Sequence, residues 1–456
     1  MSEAINSPEA KSRRFRPYPK YKDSGVEWLG EIPIAWNLMK LKRFVQFLGG
    51  GTPSKDNLEY WQGDIPWVSP KDMKSRIISD TVDKITEEAV AESATKVIGR
   101  GAVLIVVRSG ILNHSIPVAL SSTEVALNQD LKALIVDKSA VPEYLAYFIV
   151  GMQSMLLFAW RKEGATVESL ELELIANTVI PLPATEQQRI IVGFLDRETA
   201  KIDTLIEKKE RLIDLLQEKR TALITQAVTK GLDPNVPMKD SGVEWLGKIP
   251  AHWEAFRMKF LVKEPLKYGA NEAAESLDVD LPRYVRITDI SEDGLLQEET
   301  FRSLPFEIAA PYLLEEGDIL FARSGATVGK TFCYNPSWGV AAYAGYLIRA
   351  RLDKSRIDPR FILYFTRSTL YWDWIRRNFI QATIQNVSAE RYANLIIPSP
   401  PQMDQYAIMK YLDQETEKMD TLITKIHKAI DRLKEYRAAL ISAAVTGRID
   451  VRDENV

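Results

Sequence analysis

The chain has 456 residues, 46% hydrophobic and 27% charged, which is a soluble globular composition and enough sequence for two to three domains. Its formal net charge of −3, from 59 basic and 62 acidic side chains, excludes nucleic-acid binding by bulk charge but leaves room for local basic surfaces. With one cysteine, Cys333, and three histidines, an internal disulfide is impossible and a Cys/His zinc site lacks ligands. No apolar run reaches the roughly 18 residues of a membrane span. The polar, basic beginning lacks the apolar core of a secretory signal. A reducing, cytoplasmic setting is therefore expected.

In chain order, residues 1–18 are expected to be a flexible basic tail. Lys22-Asp-Ser-Gly-Val-Glu-Trp-Leu-Gly30 then opens a unit that begins again, with identical residues, at Lys239–Gly247. The offset of 217 positions returns late in each copy: Ile180-Pro181-x-Pro183 with Ile397-Pro398-x-Pro400, and Leu195-Asp-x-Glu-Thr199 with Leu412-Asp-x-Glu-Thr416. Asp203–Ile206 matches Asp420–Ile423 in the same way, and Ala227–Thr229 matches Ala444–Thr446. One register kept over so many matches makes the chain a tandem duplication. The middles differ, sharing mainly Arg108-Ser109-Gly110 with Arg323-Ser324-Gly325 at an offset of 215. Like ends and unlike middles suggest one shared task and two different ones.

Within each copy, apolar runs bounded by glycine or charge predict strands at 102–107, 133–136 and 318–322. Proline at a first helical turn predicts helices from Pro142 and Pro359. These middles read as mixed α/β domains, at 19–185 and 236–402. Trp28, Trp36, Trp245 and Trp253, identical in both copies, are expected as packing anchors, because surfaces serving two different tasks should differ.

After each Pro-x-Pro, proline and glycine nearly vanish and two long helices are expected, at 186–235 and 403–450, with a short tail at 451–456. Leu412, Met419, Ile426, Leu433 and Leu440 fall seven apart, matched by Leu195, Ile202, Lys209, Leu216 and Leu223. A second seam holds Ile206, Ile213, Ile423 and Ile430. This period predicts coiled-coil packing, with Lys209 interrupting one layer. The helices are expected to pair antiparallel, each about 60 Å long at 1.5 Å per residue. The fold class is then α/β, mixed α+β domains on an antiparallel coiled coil, with pseudo-two-fold symmetry from the duplication.

On these residues the chain resembles the specificity subunit of type I restriction–modification systems. The resemblance rests on the duplicated opening, Gly51-Thr-Pro-Ser54, Ile65-Pro-Trp-Val-Ser-Pro-Lys-Asp72, Asn128-Gln129-Asp130, the Arg323–Thr331 segment and the paired LDxETxKxDTLI helices. It implies two target-recognition domains, each reading half of a split DNA sequence, with helices that set the separation and dock two modification subunits. It also implies restriction subunits, and S-adenosylmethionine, ATP and Mg on those partners rather than on this chain. The second copy departs from the first. Tyr343-Ala-Gly-Tyr346 falls near the place of Asn128–Asp130, which suggests different half-sites.

Candidate DNA-binding residues are the polar and basic clusters of the middles. In the first copy these are Thr52, Ser54, Lys55, Ser69, Lys71, Lys74, Arg76, Arg108 and Asn113. In the second they are Lys267, Tyr268, Arg283, Arg286, Arg323, Thr327 and Lys330. Arginine pairs with guanine and Asn or Gln with adenine, while Lys and Ser mostly hold phosphate. No catalytic residues and no metal ligands are expected. Two other readings remain: a scaffold whose duplicated domains bind proteins, and an NTPase using Ser324–Thr331. The latter nearly matches a phosphate loop but has Ser where the first glycine belongs. Phe47-Leu-Gly49-Gly-Gly51 has the form of a methyl-donor loop, yet no [DN]-P-P-[YF] segment accompanies it, so a plain glycine-rich turn is expected.

Overall fold

The computed structural model describes residues 15–454 except 163, 165–166, 274, 292–295 and 379–385. The chain divides into two compact units, Met1–Lys209 with Lys428–Val456, and Glu210–His427. The division runs through both long helices, so each unit owns part of each. Boundaries drawn between recognition domains and helices did not anticipate this.

In the first unit the repeated opening is a hairpin, Tyr21–Asp23 against Glu31–Pro33. Its turn needs Gly25 and Gly30 at φ +65° and +67°, a region open to glycine. One sheet is built on β1 (Val45–Gly49), β3 (Val103–Val106), β4 (Val118–Ser121) and β6 (Leu131–Val136), after β2 (Ile65–Val68) and β5 (Val125–Leu127) are set aside. β6 lies between β1 and β3, antiparallel to both, and β4 follows β3. β2 and β5 pair in parallel in a second sheet. The same order recurs in the second unit with β7 (Lys267–Tyr268), β8 (Arg283–Val285), β9 (Ile319–Ala322), β10 (Thr331–Cys333), β11 (Ala341–Tyr343) and β12 (Leu347–Ala350). There β12 lies between β7 and β9, β10 follows β9, and β8 pairs in parallel with β11.

Behind each sheet sits the proline-led helix, α1 (Pro142–Gly151) or α3 (Pro359–Phe365), with the long helices α2 (Thr185–Lys230) and α4 (Gln402–Val445). One buried glutamine in each unit joins them. Gln188, fully buried, accepts from Val141 N (2.8 Å) just before α1 and donates to the carbonyls of Ser139 (2.9 Å) and Pro183 (2.8 Å). Gln405 likewise accepts from Asp358 N (2.8 Å) and donates to the carbonyls of Arg356 (3.0 Å) and Pro400 (2.8 Å). Each thereby satisfies an orphan amide at a helix start. Tyr147 donates to Asp196 (2.7 Å) and Tyr364 to Asp413 (2.6 Å), a second matched tie. Trp36 and Trp253 are fully buried in their units' cores, and Trp28 and Trp245 pack on those cores, so the tryptophans are anchors.

Along the helices, Leu195, Ile202 and Leu440 are buried in the first unit, and Leu412, Met419, Ile426 and Ile213 in the second. Leu433 is half-buried in the first unit, Leu216 and Leu223 in the second. Antiparallel pairing is seen within the first unit: Arg197 reaches the Glu454 carbonyl at 2.7 Å, while Arg437 pairs with Asp203 at 2.8 Å. In the second unit Arg220 pairs with Asp420 at 2.6 Å. These two ion pairs are equivalents under the repeat.

The expected tails need correction at their inner ends. Phe15 is buried with its ring 5.2 Å from that of Phe194, and Tyr18 is buried with its phenol pushed up to about 12 by loss of solvent. Asp450 N donates to the Arg16 carbonyl at 2.7 Å, and Val451 is fully buried. Aromatic side chains among the basic ones decide the matter, since burying them outweighs the freedom of a loose end. Residues 1–14 and 455–456 of these tails lie outside the described residues.

Candidate functional site

The segment that resembles a phosphate loop is a hairpin connection. Gly325–Thr327 makes one 3-10 turn, Gly329 N donates to the Ala322 carbonyl (2.9 Å), and Ala322 N to that of Lys330 (2.8 Å). The chain then enters β10 instead of a helix. A phosphate cradle needs the amides of a helix start aimed at the ligand, so this loop does not supply one. The glycines of Phe47–Gly51 serve close backbone approach: a Cβ on Gly50 would stand 2.1 Å from the Asn128 carbonyl. Gly269 has the same relation to Tyr343, at 2.2 Å from its carbonyl oxygen.

In each unit a cleft opens where the parallel strand pair meets the loop after the first sheet strand. The first, of about 740 Å³, gathers Thr52, Lys55, Ser69 and Lys71 of the expected residues, with Trp61, Trp67, Asp83, Ser109, Asn128, Gln129 and Asp130. Trp67 Nε1 donates to the Gly51 carbonyl (3.0 Å) and stacks edge-on with Trp61 at 5.0 Å, fixing the loop that carries Thr52. Thr52 donates to the Gln129 side-chain oxygen. Ser69 is buried and bonds Asp72 through its amide and hydroxyl (2.8 and 2.7 Å), closing a turn at the cleft wall. Lys55, Lys71 and Gln129 are exposed.

The second cleft, of about 420 Å³, gathers Arg286 and Thr327 with Asn271, Glu272, Tyr284, Thr288, Ser324, Gly345 and Tyr346. Tyr284 takes the part of Trp67: its hydroxyl donates to the Ala270 carbonyl at 2.7 Å. Arg286 N donates to Asp289 at 2.8 Å as Ser69 N does to Asp72. Arg283–Asp289 is therefore the counterpart of Pro66–Asp72, although only Val285 and Asp289 are identical to Val68 and Asp72 at the 217 offset.

Several expected contacts are otherwise engaged. Arg283 is buried, bonding Glu298 (3.0 Å) and the Gln297 carbonyl (2.7 Å). Arg286 holds Asp289 through two nitrogens, at 3.0 and 2.7 Å, and the Thr300 carbonyl at 2.9 Å. Arg76 lies over the Tyr147 ring at 4.0 Å and pairs with Asp196 on α2. Lys267 pairs with Glu264, and Arg108 with Asp130 at 2.7 Å. Charge-assisted bonds of this kind hold loops in place. Ser54, Lys74 and Asn113 are exposed and Lys330 half-buried, none lining a cleft. Tyr268 and Arg323 stack together at 4.8 Å, beside the second cleft. Among the described residues no cluster of three or more His, Cys, Asp or Glu could hold a metal, and no helix is long and apolar enough to cross a membrane.

One scaffold used twice, with unlike side chains at equivalent cleft positions, defines a duplicated recognition protein. The family model for the type I restriction modification DNA specificity domain matches residues 33–214 and 296–432, and the chain belongs to that family. It is 38% identical over 201 residues to the EcoR124I/EcoR124II specificity subunit of Escherichia coli, covering 43% of this chain and 47% of that one. The chain thus spans about half the length of that relative. With the MjaIX specificity subunit of Methanocaldococcus jannaschii it shares 24% identity, covering 96% of this chain and 99% of the relative. A solved chain from work on complex assembly and conformational transition of the type I R-M system superposes with a TM-score of 0.69 at 17% identity, over 92% of this chain and 99% of that one. The HsdS subunit from Thermoanaerobacter tengcongensis gives 0.52 at 17% identity, over 92% of this chain and 98% of that one. These last two likenesses are of fold.

Proposed function

We propose that this chain is the non-catalytic specificity subunit of a type I restriction–modification complex and reads a bipartite DNA target, one half-site at each cleft. The supporting observation is the contrast at equivalent positions. Lys71, Gln129 and Asp130 in the first cleft correspond to Thr288, Gly345 and Tyr346 in the second, on backbones held by the same glycine approach and the same aromatic-to-carbonyl bond. Direct readout depends on which donors and acceptors meet the base edges, so unlike walls on like scaffolds suit two different half-sites. The long helices set the distance between half-sites, as subunit spacing does in dimeric DNA-binding proteins. Two modification subunits dock on the helical regions and bring S-adenosylmethionine to an adenine turned out of each half-site. Restriction subunits supply the ATP- and Mg-dependent steps, in the cytoplasm.

Methylation mapping of DNA from cells expressing the chain with its cognate modification subunit tests this reading. A single bipartite adenine motif, lost when the chain is omitted, is expected. An active, soluble modification complex that leaves no motif would favour the duplicated protein-binding scaffold instead.

A further inference from the structure

Arg108 and Arg323 occupy the same place in the two units. Each backbone N–H donates to the carbonyl of the residue entering the last sheet strand, Arg108 to Asp130 at 3.3 Å and Arg323 to Tyr346 at 3.1 Å. Their side chains are treated in opposite ways. Arg108 Nε donates to the Asp130 carboxylate at 2.7 Å, and that carboxylate also receives the Asn128 amide at 3.2 Å, so the first unit neutralises its arginine internally.

In the second unit the carboxylate is replaced by Tyr346, whose ring lies 5.9 Å from the Arg323 guanidinium carbon. A second ring, Tyr268, lies at 4.8 Å. Strand pairing places Gly49 where Tyr268 stands: Gly49 is opposite Lys132 and Tyr268 opposite Ile348, each two residues past the paired Asp130 or Tyr346. Tyr268 is itself fixed, accepting from Ala389 N at 2.9 Å. The clamp is thus built by substitutions at two positions, both absent from the first unit.

Among the described residues, Arg323 makes no side-chain hydrogen bond or ion pair, and its Nε is buried without a partner. Its terminal nitrogens are not sealed in this way. A stacked, partly desolvated guanidinium with no acceptor is a costly arrangement, unless an acceptor arrives from outside. Ser324 and Tyr346, its chain neighbour and its stacking partner, both line the second cleft.

We propose that Arg323, set over the rings of Tyr268 and Tyr346, is a DNA contact made by the second unit alone, presenting its planar fork to a hydrogen-bond acceptor of the nucleic acid. The acceptor is either the O6/N7 edge of a guanine or a backbone phosphate; Arg108, neutralised by Asp130, makes no equivalent contact. This rests on the bipartite reading proposed above. It adds an asymmetry that the duplication alone does not suggest.

The test selects duplexes from a randomised double-stranded library with the full chain in complex with its modification subunit, comparing wild type, Arg323→Ala, Arg323→Lys and Arg108→Ala. Wild type should enrich a bipartite motif. If Arg323 reads guanine, Arg323→Ala and Arg323→Lys lose the preference for one guanine in one half-site by about 10-fold or more, with the other half-site unchanged. If it holds phosphate, Arg323→Ala keeps the motif but binds every duplex more weakly, with a salt dependence reduced by about one counterion, and Arg323→Lys largely restores binding. Arg108→Ala, which acts through Asp130 in the other cleft, should leave the Arg323-dependent guanine preference, or the salt dependence, as in wild type. An unchanged motif and affinity in Arg323→Ala, or an equal loss in Arg108→Ala, would overturn the proposal. Arg323→Lys retains charge and stem, so it keeps the base-contact question answerable should the alanine variant fail to fold. Absence of any motif with wild type would instead count against the bipartite reading itself.

Discussion

Gln188 and Gln405 make the same three hydrogen bonds, and Tyr147 and Tyr364 reach equivalent aspartates, while Asp130 and Tyr346 share no chemistry at all. The two units therefore agree where the recognition domain is fastened to the long helices and disagree where the clefts open. Fastening is a problem with few solutions. An orphan amide before α1 or α3 has to be met from the helix packed against it, and a buried glutamine does this in each unit. A cleft wall exposed to solvent carries no such obligation. It can change as freely as its ligand requires.

The sharpest test of that agreement is to cut the shared fastening. Gln188→Leu and Gln405→Leu should each destabilise the chain by about 3 kcal/mol or more, because several buried groups are left unpaired at once. Urea unfolding should show the two losses to be alike, and a clearly smaller loss at either would break the equivalence. A subtler difference is predicted at the tryptophans. Trp253 Nε1 donates to Asp404 at 2.8 Å, whereas Trp36 Nε1 is buried without a partner, the equivalent position being Gln187, which instead bonds Tyr18. Trp253→Phe should cost about 1–2 kcal/mol more than Trp36→Phe in the same measurement. Least of all is expected from the helix ion pairs. Arg220→Ala and Arg437→Ala remove half-exposed partners of Asp420 and Asp203, and each should cost under about 1 kcal/mol, shrinking further with added salt.

Much of this fold was legible because the duplication marks its own essentials. The repeated opening, the Pro-x-Pro stops and the seven-residue seams all recur at one offset, and the strands and helices read from them lie close to those observed. The expected 318–322 strand is Ile319–Ala322, and the 186-onward helix begins at Thr185. The clefts were harder to read. Thr52, Lys55 and Lys71 belong to a polar and basic cluster that stands out in the first copy, whereas Asn271 and Glu272 lie in no such cluster. Arginines show the limit most clearly: the sequence gives no sign that Arg76, Arg283 and Arg286 pair with Asp196, Glu298 and Asp289. Gln188 and Gln405 match at the 217 offset, but a polar residue in a helix gives no hint from sequence that it is buried.

Gly50 and Gly269 impose a rule on how such a chain diversifies. Any side chain at either position would collide with the backbone opposite, whereas Thr52 and Asn271, two residues on, carry side chains that line the clefts. Inheritance is therefore strict at one residue and lax two residues further along. Substitutions that reshape a cleft can accumulate there one at a time without first passing through a protein that fails to fold.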